Sequence, residues 1–283
     1  MACCEVKLRP IASMKAVFMK YVDINCDMGE SFGAYTIGGD AEVIAHITSA
    51  NIACGFHAGD PMVLGRTVRL SRDKNVAVGA HPGFPDLMGF GRRSMDCTLE
   101  EIRHYIIYQV GAVRAFCDVY GVKLQHVKPH GALYNMAVGN EALTRTIAEA
   151  VVSIDPELIM VALAGRHAPV VRAIAAAAGL RVVFEAFPDR AYTAEGTLVS
   201  RRKPGAVIKD SEVVAERALM MAAQGRILAE DGTCLALDAD TLCVHGDTPA
   251  AVDLAFHIRR KLESNGVGVL AMGEIQKKVE TGK

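Results

Sequence analysis

Asp23-Ile24-Asn25-Cys26-Asp27-Met28-Gly29-Glu30 follows the apolar start of a β-like run, and three later segments copy its plan. They are Asn51-Ile52-Ala53-Cys54-Gly55-Phe56-His57-Ala58-Gly59-Asp60, Val76-Ala77-Val78-Gly79-Ala80-His81-Pro82-Gly83 and Gln125-His126-Val127-Lys128-Pro129-His130-Gly131. Each places His, Asp or Lys directly after a short apolar strand. In a barrel of alternating strands and helices, the carboxyl ends of all strands meet on one face, where catalytic groups gather. An open doubly wound sheet would concentrate its site at one switch point instead. Chemistry spread over so many strand ends therefore points to a barrel.

The remaining chain keeps the alternation. Tyr21–Asn25, Ala50–Cys54, Val76–Ala80, Lys123–Val127, Leu158–Leu163, Arg181–Ala186 and Leu242–His245 read as strands. Helices are expected over Asp40–Thr48, over Pro61–Asp73 behind an Asp60 cap, and from Thr98, with Glu101 completing a capping box, to Tyr120. Others cover Glu141–Val152, Ala168–Ala178 with Gly179 as stop, a segment opening at Ser211, and one from the Asp247-Thr248-Pro249 cap to Ser264. The expected fold is α/β, a single distorted (β/α) TIM-like barrel of about seven strands. Phe187–Lys209 is longer than an ordinary connection and is expected to act as a lid. Residues 226–237 read as a small hairpin around Asp231-Gly232.

With 283 residues, 51% of them hydrophobic, the chain has material for one large core, and a net charge of -1 gives no basic surface for nucleic acid. Apolar runs such as Leu158–Ala164 are too short to span a bilayer. The 8 cysteines include no C-x-x-C pair, so reduced thiols and a cytoplasmic location are expected, with no structural zinc site. Residues 1–18, where Glu5, Lys7, Arg9, Pro10 and Lys15 interrupt any signal-peptide pattern, are expected to be a dispensable extension ahead of a catalytic domain over 19–283.

Asp23, Asn25 and Asp27 alternate along one extended segment and leave on one face, a pattern suited to a metal or a shared proton. His57 and Asp60 form a metal pair or an oriented base, with Asp60 also a helix cap. His81 precedes Pro82, and Lys128-Pro129-His130 repeats that design with a cation suited to an oxyanion or phosphate. His245-Gly246-Asp247 ends the last strand, and the Asp86–Arg93 loop offers glycine amides with Arg92 or Arg93 as an anion clamp. Cys26 and Cys54 read as buried hydrophobes, and His46, His104, His126, His167 and His257 as surface or packing residues. Neither G-x-x-x-x-G-K-[ST], G-x-G-x-x-G nor G-x-S-x-G occurs.

The strings Asp23–Gly33, Ser49–Pro61, Gly79–Gly83 and His126–Asn135 resemble the LamB/YcsF family, and the likeness runs from about Met19 to near residue 268. That resemblance implies a barrel similar to polysaccharide deacetylase-type barrels, and membership as the A component of a three-component 5-oxoprolinase. The implied reaction is ATP-dependent hydrolysis of 5-oxo-L-proline to L-glutamate, with Mg²⁺ accompanying ATP and with B and C subunits as partners. Family members begin near Met19, so translation from Met14 or Met19 is an alternative to Met1.

On this reading Asp27, His57, Asp60, His81, Lys128 and His130 are the expected catalytic groups, with one of the three histidines as base. Asp23, Asn25, Glu30, Asp86, Arg92, Asp189, Arg190, Tyr192, His245 and Asp247 are expected to bind substrate or nucleotide, the strand-one carboxylates holding Mg²⁺. Two rivals stand beside it. One is a metal-dependent deacetylase or other amidohydrolase acting without ATP, with Zn²⁺ or a similar ion at Asp27 and His57, and His130 as a further candidate ligand. The other is a non-catalytic component that presents substrate, for which so many ionisable groups are unnecessary.

Overall fold

A computed structural model of the chain describes residues 20–246 and 250–281. Along β1 (Tyr21–Met28) the side chains alternate between two environments. Val22, Ile24, Cys26 and Met28 join the apolar layer under the helices, while Asp23, Asn25 and Asp27 turn inward. The same alternation organises β2 (Ser49–Ala53), β3 (Ala77–His81), β4 (Leu124–Val127), β5 (Ile159–Leu163) and β6 (Arg181–Ala186). A small antiparallel hairpin of β7 (Arg226–Leu228) and β8 (Cys234–Ala236) precedes β9 (Thr241–Val244). All neighbours in the main sheet are parallel, and β1 pairs with both β2 and β9, which closes a barrel of seven strands. β10 (Gly268–Val269) adds to the opening of β1 at Tyr21 and Val22.

The helices are α1 (Asp40–Val43), α2 (Pro61–Asp73), α3 (Leu99–Tyr120), α4 (Gly131–Ala137), α5 (Glu141–Ile154), α6 (Ala168–Ala177), α7 (Ser211–Gln224), α8 (Ala251–Ser264) and α9 (Met272–Thr281). Their apolar faces cover the outward side chains of the strands in one continuous core. Asp60 caps α2 through the amides of Met62 and Val63, and the Thr98–Glu101 capping box opens α3, both as the sequence predicts. None of the described helices is long and apolar enough to cross a membrane.

The barrel interior departs from the branched apolar filling usual in such folds. Ile159, Val161, Val183 and Met272 close its amino end. Above them lie Asp23, Asn25, Asn51, His126, Lys128, Glu185 and Thr241, all buried and joined by hydrogen bonds. Gly79 of β3 leaves room for this polar column, since a Cβ there would collide with the His126 ring.

Several local expectations are corrected. The helix expected over 40–48 is only α1 plus a 3-10 turn at Ile44–His46, because Ile47 is extended and Thr48 turns to donate to Asp23. The short α4 and α9 and the two-residue β10 carry too little periodicity to be read from sequence. The 187–209 segment is tied down internally: Arg190 donates to the carbonyls of Val199 and Ala206, and Arg217 to those of Pro188 and Arg190. The 247–249 cap, Asp247 as a site residue, and the 1–18 extension lie outside the described residues.

Candidate active site

Lys128, just past β4, projects into the mouth of the barrel. Its ammonium donates to Asp27 at 2.9 Å, Glu185 at 2.8 Å, Cys243 Sγ at 3.1 Å and Asn25 at 3.2 Å. A Lys has three protons, so these acceptors use them all. Burial works to neutralise Lys128, but the carboxylates of Asp27 and Glu185 overcome it and hold the amine well above its ordinary pKa. Burial likewise opposes the charge on Asp27, yet His81 and Lys128 leave its carboxyl well below the usual range. Asn51 adds a further donor to Asp27 at 2.9 Å. Cys243 is kept as a thiol by burial, and Tyr134 as a phenol by burial and Glu185.

Beside this pair stands a cluster of histidines from three strand ends. His57 follows β2, His81 ends β3, and His130 follows β4. The rings of His57 and His130 stack at 3.7 Å with their planes 1° apart, and His81 meets His130 edge-on. His81 Nε2 lies 2.9 Å from His130 Nδ1 and 3.4 Å from Asp27, while Glu30 Oε1 lies 3.5 Å from His57 Nε2 and 3.9 Å from His130 Nδ1. Burial drives His57 and His130 well below the ordinary histidine pKa, and a proton on one ring of the cluster opposes a proton on the next. His57 and His130 are therefore neutral imidazoles at pH 7.

The loop after β3 builds one wall. Asp86 accepts from Gly89 N and pairs with Arg93, Gly91 N donates to Asp86 O, and Arg92 N to Gly89 O. These amides are used within the turn, so the loop positions histidines where an anion cradle was expected. Phe90, at φ 53°, sets its ring against His57 and its carbonyl 2.8 Å from His130 Nε2. Arg92 lies over the Phe90 ring, 4.9 Å from its centre, beside the cluster. Gly91, at φ +63°, passes so close that a Cβ would stand 2.7 Å from atoms of both His57 and His130.

Residues 22–277 match the sequence pattern of the LamB/YcsF family. The chain belongs to that family. It is 56% identical over 256 residues to the 5-oxoprolinase A subunit of Pyrococcus furiosus, covering 90% of this chain and 99% of that one. It is 57% identical over 251 residues to the 5-oxoprolinase A subunit of Syntrophobacter fumaroxidans, covering 89% and 98%. The crystal structure of a lactam utilization protein from Thermus thermophilus superposes with a TM-score of 0.82 at 49% identity, over 89% of this chain and 99% of that one. A more distant barrel, a putative cellobiose-phosphate cleavage protein from Enterococcus faecalis, reaches a TM-score of 0.54 at 12% identity over 90% and 98%, which shows a shared fold alone.

Of the site residues read from sequence, this LamB/YcsF chain brings Asp27, Glu30, His57, His81, Lys128 and His130 together. His245 joins their edge, Nδ1 2.8 Å from Asp189, which burial would raise but His245 holds below its ordinary pKa. Others are used elsewhere. Asp23 sits deep in the barrel, accepts from Thr48, Ser49 and Thr241, and is pushed up to about 6 by burial. Four residues of strand, about 13 Å, separate it from Asp27, so the two carboxylates cannot share one Mg²⁺. Asn25 links Glu185 and Thr241 beneath Lys128. Asp60 is used by Met62, Val63 and Gly33 amides and holds no histidine. Asp86 clasps its own loop, Arg190 clasps 199–206, and the Tyr192 hydroxyl accepts from Phe187 N. Glu185, Asn51 and Cys243 escape the sequence reading. Their signal is a polar residue at an inward position of a strand, legible only once the barrel register is known.

Proposed function

We propose that the chain is the A component of a 5-oxoprolinase, which hydrolyses 5-oxo-L-proline to L-glutamate with ATP, as its Mg²⁺ complex, going to ADP and phosphate, and which works with B and C subunits. The observation that carries this reading is identity of 56% to a relative of that name over 99% of the relative's length. The convergence of Asp27, Lys128 and three histidines at one barrel mouth supports hydrolysis at this site.

A five-membered lactam is a stable amide whose carbonyl resists water at neutral pH. Phosphorylating the carbonyl oxygen makes the carbon electrophilic and the oxygen a leaving group. Water then attacks, the C–N bond opens, and the acyl phosphate hydrolyses to glutamate and phosphate. A ring nitrogen of the histidine cluster is the assigned base for the attacking water. Arg92 is assigned to the phosphate at the mouth. Lys128, expected from sequence to meet that phosphate, instead fixes Asp27 in the ionised form. In the mixed subunits, His57→Ala and Asp27→Asn are expected to abolish glutamate formation with the chain still folded. Normal turnover in either variant would remove this site from the reaction.

A second reading, an amidohydrolase acting without ATP, is favoured by the buried Glu30–histidine cluster. ATP-independent release of glutamate from 5-oxoproline would establish it.

A further inference from the structure

We propose that His81 is an imidazolium that shares a proton with His130, and that His57 is in consequence the ring that takes the proton of the attacking water. His81 Nδ1 lies 2.7 Å from the Lys128 carbonyl, His81 Nε2 2.9 Å from His130 Nδ1, and His130 Nε2 2.8 Å from the Phe90 carbonyl. A carbonyl oxygen has no proton to give, so the first and third contacts each take one from a ring. The middle contact needs one between its two nitrogens. Three protons are required where two neutral imidazoles bring two, so the pair carries one positive charge. A metal ion shared by the cluster is no substitute. The rings of His57 and His130 are 1° from parallel at a spacing of 3.7 Å, so their in-plane lone pairs run side by side and cannot meet at one centre. The Zn²⁺ set expected from sequence at Asp27, His57 and His130 does not fit for the same reason.

Burial keeps His130 neutral, which places the extra proton on His81. Asp27 supplies the counter-charge, 3.4 Å from His81 Nε2, and Glu30 lies 3.9 Å from His130 Nδ1. Burial would raise Asp27, yet His81 and Lys128 hold its carboxyl well below the usual range, which fits a charged His81. Lys128 and Arg92 are the cations that face the cluster, and the protons of Lys128 go to Asp27, Glu185, Cys243 and Asn25. His126, deeper in the barrel, is pulled by burial to about 3 and is neutral. The Cys54 thiol is pushed up to about 12 by burial, and His245 beyond Asp27 is paired with Asp189.

With all the nitrogens of His81 and His130 engaged, His57 is the ring left for proton transfer. It is fully buried, neither of its nitrogens is hydrogen-bonded, and Nε2 lies 3.5 Å from Glu30 Oε1. A buried imidazole without a partner is costly to keep, and a reactant water is a partner that removes the cost. Burial keeps His57 neutral, and a proton on His81, whose ring meets it edge-on at 5.4 Å, opposes a second one here. In the step itself the water oxygen bonds to the lactam carbon as its proton passes to the bare nitrogen of His57. When the C–N bond breaks, its electron pair stays on nitrogen, which takes that proton and returns His57 to neutral. His81 is a positioning residue: it locks the His130 tautomer and, through the stack, the plane of His57. The assignment of the base rests on the hydrolytic reading; the charge on His81 does not.

Nuclear magnetic resonance of the full-length protein with nitrogen-15 histidine tests the charge without turnover. At pH 7.5 the His81 ring is expected to carry protons on both nitrogens, and the His57 and His130 rings on one each. Loss of signals in His81→Gln, His57→Gln and His130→Gln assigns them. Should His81→Gln not fold, coupling across the hydrogen bond between a doubly protonated ring and a bare nitrogen of a second histidine identifies the pair in wild type. Wild type without such a coupled ring, or with the charge on His57, would overturn the proposal. In the mixed subunits, His57→Gln is expected to lower kcat by about 10²–10⁴-fold with little change in KM. Folded His81→Gln should move the acidic limb of kcat/KM to higher pH, because His57 protonates sooner once a positive neighbour is lost. An unmoved limb, or an active His57→Gln, would overturn the assignment of the base. Wild type that turns over no 5-oxoproline would remove the oxoprolinase reading and leave the charge on His81 to be decided by its nitrogen signals.

Discussion

The ammonium of Lys128 is enclosed by Asp27, Glu185, Cys243 and Asn25, and its removal would leave two carboxylates buried without a counter-charge. Breaking a buried pair in this way typically costs about 3–5 kcal/mol. Lys128→Met is therefore expected to lose that order of stability in urea unfolding as well as activity. Wild-type stability would show that the pair is dispensable. His126 gives a pH prediction. Burial, helped by Lys128, pulls it from 6.5 down to about 3, so below 6.5 the unfolded chain takes up a proton that the folded chain refuses. Stability should fall as pH drops through that window. Asp23, raised to about 6, has the opposite sign, its contribution being lost as pH rises from 3.8 to 6, but its shift is smaller. A melting temperature lower at pH 5 than at pH 7.5 is expected, and a smaller drop in His126→Gln. Equal melting at the two pH values would contradict the burial of a neutral His126. The inward turn of Asp23, Asn25 and Asp27 is legible in their alternation. The depth of each along the barrel axis is not, and depth is what separates a structural Asp23 from a site Asp27.

The loops after the strands set the geometry of the site. Gly91 combines a left-handed backbone with a path against His57 and His130, so Gly91→Ala should both strain the turn and displace the two rings. A clear loss of melting temperature is expected, and a variant indistinguishable from wild type would contradict the packing. The caps of α2 and α3 are readable because one side chain and its spacing decide them. The 86–93 loop is not, because glycines and arginines look alike whether their amides point at an anion or at Asp86. Only the turn geometry distinguishes these, and the Asp86–Arg93 pair fixes it. The 187–209 segment is long enough to suggest a lid, yet Arg190 and Arg217 reach carbonyls that no local pattern announces.

At the scale of the molecule, closure of seven parallel strands gathers β1 to β4 ends into one mouth, as the repeated strand endings imply. That mouth is nearly sealed: Asp27 is 9% exposed and His57 fully buried. The segments that follow β1, β2 and β3 carry uncovered apolar side chains, with Tyr35 at 68%, Met62 in the first turn of α2 at 80% and Met88 at 92% exposure. These three side chains are the proposed contact for the B and C subunits. Met62→Glu with Met88→Glu should leave melting unchanged and weaken turnover in the mixture; unaltered turnover would place the contact elsewhere. The central claim is tested most directly by measuring glutamate and ADP formed from 5-oxoproline and ATP, with this chain alone and with its B and C subunits. Equal amounts of both products from the mixture and neither from the chain alone is the predicted result. Glutamate without ADP, or no glutamate from a mixture of folded subunits, would contradict it.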